Sequence, residues 1–400
     1  MSSLYFYDDV RARQFEPFAL TRPVSELRAG TSLIRKRWER ATSFSSAGFI
    51  GSTHLANFEE GSAPPAVAAK SEIPAGSIIV NSRCVVPLDV RLDRFDLLMC
   101  DGMAAAVRLA RSMPVSQFAD GSIDIGSIQT SLGGKKIKGR WVNDVWDLVG
   151  SLTEQLIEDI PHRAETLTLR APLDVTVVGK EKVYIEEGAE IGPQVVLDAS
   201  VGPILIRKGA VIAPFTHLVG PIAIGRDSQV LGDKVVGSSI GDHCKIRGEF
   251  SNTIVLGHSN KGHAGFVGHS YLGRWVNLGA MTTTSNLKNT YGPVQLWTPS
   301  GLRDTGQQFL GTFFGDHAKT GIGTMLSTGS VIGAGANVFG AKMPPRVVPP
   351  FAWGDAEPYE TYDVTRFLVV AERVMSRRHV KLSDKARKQL GEAHKRRWSS

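Results

Sequence analysis

The sequence is short of cysteine. Cys84, Cys100 and Cys244 are the only three in 400 residues. An odd number at such wide spacings forms neither a disulfide framework nor a CxxC metal signature, and this usage fits a reducing, cytoplasmic setting. No apolar run approaches the length needed to span a bilayer, and charges come too early in MSSLYFYDDVRARQF for a secretory signal. A soluble protein is expected. No GxGxxG or P-loop stretch occurs in residues 1–160, so these glycine-rich phosphate cradles are missing. Net positive charge is also absent outside one place. Residues 361–400 hold eleven Lys/Arg against four Asp/Glu, which accounts for the whole net charge of +7. The basicity belongs to a C-terminal tail, expected to be a solvated helix. No nucleic-acid partner is expected.

What is present is a period. Ile206, Ile212, Leu218, Ile224, Val230 and Val236 are six apart, as are Ile185, Ile191 and Leu197 before them. The register slips at Ile240 and Ile246, then resumes through Phe266, Leu272 and Leu278. After an insert at 291–308, Phe314, Thr320, Leu326, Ile332 and Val338 restore it. A period of six fits neither a helix nor an ordinary strand. It fits a parallel β-helix, in which each hexapeptide builds one face of a triangular coil. Glycines at the bends, as in Ile224-Gly225 and Ile332-Gly333, suit sharp turns between flat faces. MPPRVVPPFAWG (343–354) is expected to end the repeat, since proline cannot donate to a ladder. Two helices are expected in 358–398.

Residues 1–160 read as an α/β layer. Strands are expected at 4–7, 78–80 and 95–99, and helices at 104–112 and 145–160. A helix following Pro23 would carry Val24, Leu27, Thr31, Ile34 and Trp38 on one face. Arg22, Arg28, Arg35, Lys36 and Arg37 decorate that stretch. They suit a phosphate at a helix N-terminus, or else form a solvated face. The stretch 41–74 is rich in Ala, Ser, Gly and Pro and is expected to be loops.

The richest chemistry lies at 260–291, NKGHAGFVGHSYLGRWVNLGAMTTTSNLKNTY, with His258 just before it and His263 and His269 within it. Together with LTRPVSELRAGTSLIRKRWE near the start and PPFAWG near the end, this run resembles one family. It is that of the bifunctional N-acetylglucosamine-1-phosphate uridyltransferase / glucosamine-1-phosphate N-acetyltransferases (GlmU-type), and closest to their relatives with a shortened first domain. The resemblance implies a nucleotidyltransferase-like α/β domain at 1–165, a left-handed parallel β-helix at 166–345 and a helical basic tail at 346–400, assembled as a homotrimer. It implies acetyl transfer from acetyl-CoA to an amino sugar 1-phosphate, with nucleotidyl transfer from UTP, using Mg, as an accompanying activity of the first domain.

Carried over position by position, His263 in the Gly262-His263 pair would be the general base. Phe266, Asn277 and Asn286 would contact sugar, Ala280 would contact acetyl-CoA, and Arg22 and Arg28 would serve the nucleotide loop. The chemistry is apt, because a histidine near pKa 6.5 can take the proton of an attacking amine at cellular pH. Several positions depart from the pattern, among them Phe266, which lacks the hydroxyl of the family's tyrosine. Ser251 stands where the family holds the sugar phosphate with a lysine, Met281 replaces a glycine, and Asn81-Ser82-Arg83 stands where the family's metal-holding Asp would be. Other readings stay open. His263 could be a structural histidine stacked in the coil, and Asn277 and Asn286 could belong to an asparagine ladder. His258, His263 and His269 could hold zinc in a β-helical carbonic anhydrase-like hydratase. The first domain could also be a catalytically silent binder of sugar nucleotide.

Overall fold

A computed structural model describes residues 3–128, 134–163, 170–355 and 357–398. The chain divides into two compact units, Met1–Val145 with Ser383–Arg396, and Trp146–Leu382 with Arg397–Ser400. These do not coincide with the expected segments. The boundary at 165/166 falls outside the described residues, the helix Leu152–Arg163 goes with the coil, and the basic helix Asp384–Lys395 goes with the first unit. No helix among the described residues is long and apolar enough to cross a membrane.

The first unit is built on a six-stranded sheet in the order Lys135–Lys136, Leu97–Cys100, Met103–Arg108, Ile78–Asn81, Leu4–Tyr7, Ser46–Ile50. Leu4–Tyr7 lies parallel to both of its neighbours, so its carboxyl end and that of Ile78–Asn81 open on the same edge. Ligands of open α/β sheets gather at such an edge. Several local expectations are corrected. Residues 104–112 are not a helix, because Met103–Arg108 is a central strand antiparallel to Ile78–Asn81 and Leu97–Cys100. Its run Ala104-Ala105-Ala106-Val107 is buried on both faces and carries no alternation to read. Ser46–Ile50 is a strand inside the stretch expected to be loops. The helix after Pro23 starts only at Ile34 and runs to Thr42, behind a short turn and a hairpin at Arg28–Ala29 and Ser32–Leu33.

That helix also overturns the reading of its arginines as a solvated face or phosphate cluster. Arg35 and Arg37 are 1% and 2% exposed. Arg35 is held by Glu26 and Glu39, and Arg37 donates to the carbonyls of Ala29 and Val86. A buried cation persists only where such acceptors meet it; Glu39 stands one helical turn on from Arg35, but Glu26, Ala29 and Val86 come from elements that no helical period reveals. The basic tail helix Asp384–Lys395 docks in the same unit through Gln389, Leu390 and Ala393, and Gln389 donates to the Thr21 carbonyl. Lys385, Lys388 and Lys395 stay exposed, as expected of a solvated cationic face.

The second unit is the expected parallel coil. Its three faces are a six-stranded, a nine-stranded and a ten-stranded sheet, and successive strands of each are successive turns of the coil, except that Glu360–Thr361 closes the ten-stranded sheet antiparallel. The inward column of one face runs Ile191, Ile212, Val230, Ile246, Lys261. Leu218, Val235, Phe250 and Val267 form another. Two members of the expected period are therefore displaced by one residue: Val235, not Val236, and Val267, not Phe266, point inward. Corners of unequal length cause the slip, and side chains alternate faces, so one residue decides inside from outside. The repeat also continues past 343. Val347–Val348 and Ala352–Gly354 add one more turn, with the prolines placed between strands and not in the ladder. Beyond it, Phe351, Tyr362 and Phe367 pack ring against ring, Phe351 and Phe367 edge-to-face at 5.0 Å, and seat the helix Val364–Ser376 on the end of the coil. The insert at 291–308 is an antiparallel hairpin, Gln295–Thr298 with Gly301–Asp304.

Candidate active site

One turn of the coil contains all three histidines of the sequence cluster. It runs through strands Ile254–Gly257, Asn260–Lys261 and Phe266–Gly268. His258 and His269 occupy two of its corners, at φ 54° and 47°, and His263 lies on the third, between Lys261 and Phe266. The three rings thus stand at different edges of one prism and cannot converge on one zinc within a chain. Among the described residues no group of three or more His, Cys, Asp or Glu is placed to hold a metal. His258 belongs to an aromatic column, 4.7 Å from His243 and 4.3 Å from Trp275.

His263 is exposed. The turn above begins at Asn277–Leu278, which leads into the same edge, and Met281 donates its N–H to the Ala264 carbonyl at 2.8 Å. Ala280 and Met281 therefore sit directly over the histidine's corner, and Phe266 leaves it onto the next face. The structure brings His263, Phe266, Asn277 and Ala280 together on one edge of the prism. Asn286 reaches the Phe266 ring from the other end of that face. It lies at the far corner of the Phe266 face, where its amide meets His269 Nδ1 at 2.9 Å. The ring of Phe266 and the Asn286 amide both crowd Gly268, whose Cβ, if present, would lie 2.4 Å from Phe266 Cζ and 2.7 Å from Asn286 Nδ2. Only glycine leaves this strip between the corners open.

Asn277 accepts from Asn260 Nδ2 at 2.9 Å, so the asparagine ladder is present as a two-residue rung pair. The outward column on that face reads Lys245, Asn260, Asn277, Lys319. Ser251 lies outward beside Gly268 and bears no charge. Three cations lie on the neighbouring turns below: Arg247 faces Asp233 at 3.5 Å, Lys234 is exposed on the Phe266 face, and Lys245 stands in line with Asn277.

Two contributors have roles that the sequence reading missed: His269, read there only as a candidate zinc ligand, and Lys261. His269 is stacked on Phe309 at 5.3 Å between Asn252 and Asn286, and burial pushes its pKa down to about 4. Its ring is neutral at pH 7 and can hold the Asn286 amide in one orientation. Lys261 fills an inward core position, 0% exposed. An inward lysine breaks the apolar period, and that break was the one signal available.

In the first unit a cavity of about 700 Å³ opens at the carboxyl edge of the sheet, lined among others by Asp9, Asn81, Arg83, Met99, Ser122 and Trp141. Asp9 follows strand Leu4–Tyr7 and Arg83 follows Ile78–Asn81. The guanidinium grips both carboxylate oxygens at 2.7–3.0 Å, while Asn81 and the Ala12 N–H take further lone pairs. Burial raises the Asp9 pKa, but these hydrogen bonds and the Arg83 charge outweigh it and hold the carboxyl below its ordinary value. Asp8 is 3% exposed, and burial lifts its pKa to about 6. A magnesium ion needs free carboxylate oxygens. Asp9 has none to spare and Asp8 faces inward, so these residues do not fit the metal. Arg22 and Arg28 are both buried. Arg22 is locked on Glu60 by two bonds of 3.1 and 2.9 Å, so the nucleotide role expected for it would have to break that pair.

Residues 4–166 match the family described as sugar nucleotidyl transferase. The bifunctional protein GlmU of Azoarcus sp. is 31% identical over 125 residues, covering 28% of this chain and 25% of its own length. An uncharacterized acetyltransferase, YaiX, of Escherichia coli is 26% identical over 173 residues, covering 41% of this chain and 75% of its own length. A bifunctional sugar-1-phosphate nucleotidylyltransferase/acetyltransferase of Sulfurisphaera tokodaii is 31% identical over 166 residues, 40% of this chain and 36% of its own length. The chain thus spans between a quarter and just under half of the length of the bifunctional relatives it matches. With a sugar nucleotidyl transferase segment followed by a hexapeptide coil, the chain is similar over part of its length to the GlmU-type bifunctional proteins.

Proposed function

We propose that the coil transfers an acetyl group from acetyl-CoA to the amine of an amino sugar carrying a phosphate or nucleotide. The observation that carries this reading is the edge where exposed His263 stands beneath Ala280, flanked by Asn277 and Phe266. The neutral amine attacks the thioester carbonyl carbon, His263 takes the amine proton, the C–S bond breaks, and the proton passes to the departing CoA sulfur. Asn277 and Asn286 orient the acceptor's hydroxyls or acyl oxygen through directional bonds. The same edge exposes Met281 at 59%, Ile322 at 78% and Met325 at 59%. Apolar side chains grouped beside a catalytic edge suit coverage by further copies of this chain, which supports the homotrimer.

The first unit supports a second reading. With Asp9 closed by Arg83, the cavity is read as a site that binds a sugar nucleotide without metal, and nucleotidyl transfer from UTP is not assigned to these residues.

The acetyl-transfer assay tests the first reading. Free CoA thiol is followed with glucosamine 1-phosphate and a panel of amino sugars. His263→Ala is expected to lower the rate about 10²–10⁴-fold. No turnover on any amino sugar would sink the proposal. For the first unit, pyrophosphate release from UTP plus a sugar 1-phosphate would overturn the silent-binder reading.

A further inference from the structure

Each inward position of the coil's ten-stranded face is apolar or a threonine except one. Below Lys261 lie Ile246 and Val230, and the next turns place Leu278 and Thr320 in line. Lys261 is 0% exposed. A buried ammonium is costly unless its protons find acceptors, and here the acceptors are two backbone carbonyls of the following corner. Nζ donates to the carbonyl of His263 and, at 2.7 Å, to that of Ala264. The corner leaves Nζ little other space: a Cβ on Gly265 would lie 3.1 Å from it and 2.2 Å from the Thr282 carbonyl. Burial lowers the Lys261 pKa to about 8, and Asp233 acts in the opposite sense.

A corner carrying an exposed catalytic ring faces a mechanical problem. Among the described residues no hydrogen bond fixes the His263 ring, and residues 262–265 form no strand of their own. The ladder secures the corner from above only through Met281 N–H on the Ala264 carbonyl. Lys261 adds a tether from within the prism on the peptide carbonyl of the histidine itself. An aliphatic residue, which every lower turn of this column uses, would fill the volume but leave both carbonyls facing the core.

We infer that Lys261 is a positioning residue for acyl transfer: its ammonium, buried inside the coil, clamps the His263 and Ala264 carbonyls and so fixes the backbone that presents His263. This rests on the reading of His263 as the base. Lys261 touches neither substrate nor cofactor and acts only through that corner.

The experiment compares Lys261→Met, His263→Ala and the double variant in the acetyl-transfer assay, with hydrogen exchange of the 262–265 amides measured on full-length wild type and Lys261→Met. Methionine keeps the length and apolar stem while removing the charge. The expected result is a fall in kcat of about 10²-fold, the scale of a small displacement of a reacting group. KM for acetyl-CoA should stay within about two-fold, because no binding contact is lost. The double variant should be no slower than His263→Ala alone. Wild-type kcat in Lys261→Met, or losses that multiply in the double variant, would overturn the proposal. If His263→Ala retains full activity, the base assignment fails by itself, and exchange then decides the clamp: faster exchange at 262–265 in Lys261→Met sustains it and unchanged exchange ends it. Should Lys261→Met not fold, a crystal structure of the wild type with Nζ beyond hydrogen-bond reach of both carbonyls would overturn it equally.

Discussion

Replacing Arg83 by methionine tests the ion pair that stands in the metal's place. Arg83 is 8% and Asp9 16% exposed by side chain, and the guanidinium makes a two-pronged contact with the carboxylate. It also donates to the Val142 carbonyl at 3.3 Å and to Asn143 Oδ1 at 3.1 Å, and lies 5.2 Å from the Trp141 ring. Removing one member of a buried pair costs about 3–5 kcal/mol, chiefly by stranding the other charge. Asn81 and the Ala12 N–H still serve Asp9, so a loss near the low end, about 3 kcal/mol, is expected. That is a large share of an ordinary domain's stability of about 5–15 kcal/mol, yet it leaves the variant folded. The assay is urea unfolding at pH 7, read as a change in midpoint at constant slope. Arg83→Met combined with Asp9→Asn should recover most of the loss, because no charge is then stranded. The Asp9 pKa is depressed in the folded protein, so the stability it contributes is present above about 3.9, the unfolded value, and fades as pH falls below it. The deficit of Arg83→Met should shrink in that acid window. A loss below about 1 kcal/mol, or a double variant no better than the single, would refute the reasoning.

Other expectations concern the coil. His269 has its pKa depressed to about 4 by burial, so the stability it contributes is complete above its unfolded value of about 6.5 and is lost as pH falls toward 4. Relative to His269→Phe, which keeps a ring against Phe309, the wild type should lose stability across that window; parallel curves would contradict the burial. Gly268→Ala should leave the coil folded but push aside Phe266 and Asn286, raising KM for the amino-sugar acceptor about tenfold with KM for acetyl-CoA unchanged. Gly241→Ala would place a Cβ 2.3 Å from the Leu256 carbonyl of the next turn. Backbone has nowhere to go there, so thermal unfolding should show a loss of more than about 2 kcal/mol.

Much of the coil was legible because its signal is local. A hexapeptide repeat announces itself wherever Ile206, Ile212 and Leu218 recur, and no knowledge of distant partners is needed to read it. The same local signal failed at Phe266 and Val236, where corner length shifted the alternation by one. It failed again at 343–354, where prolines placed in corners ended nothing. In the first unit the central strand Met103–Arg108 read as a helix, because its alanine run looks alike in either state until both neighbouring strands are known.

The sequence by itself determined the fold class, an α/β part and a parallel hexapeptide coil, and the residue types at the candidate site: a histidine on a coil corner, asparagines on neighbouring turns, and an arginine in a carboxylate's place. Only the tertiary structure decided their relations. It grouped His263 with Asn277, Ala280 and Phe266 on one edge while sending Asn286 to His269 at another. It turned Arg22, Arg35 and Arg37 from free cations into satisfied structural ones, and it placed Lys261 inside the prism with its charge on the His263 corner. The reason is physical. A repeat is written in neighbouring residues, whereas the partner that neutralises a buried charge comes from another strand or turn, and only folding brings the two together.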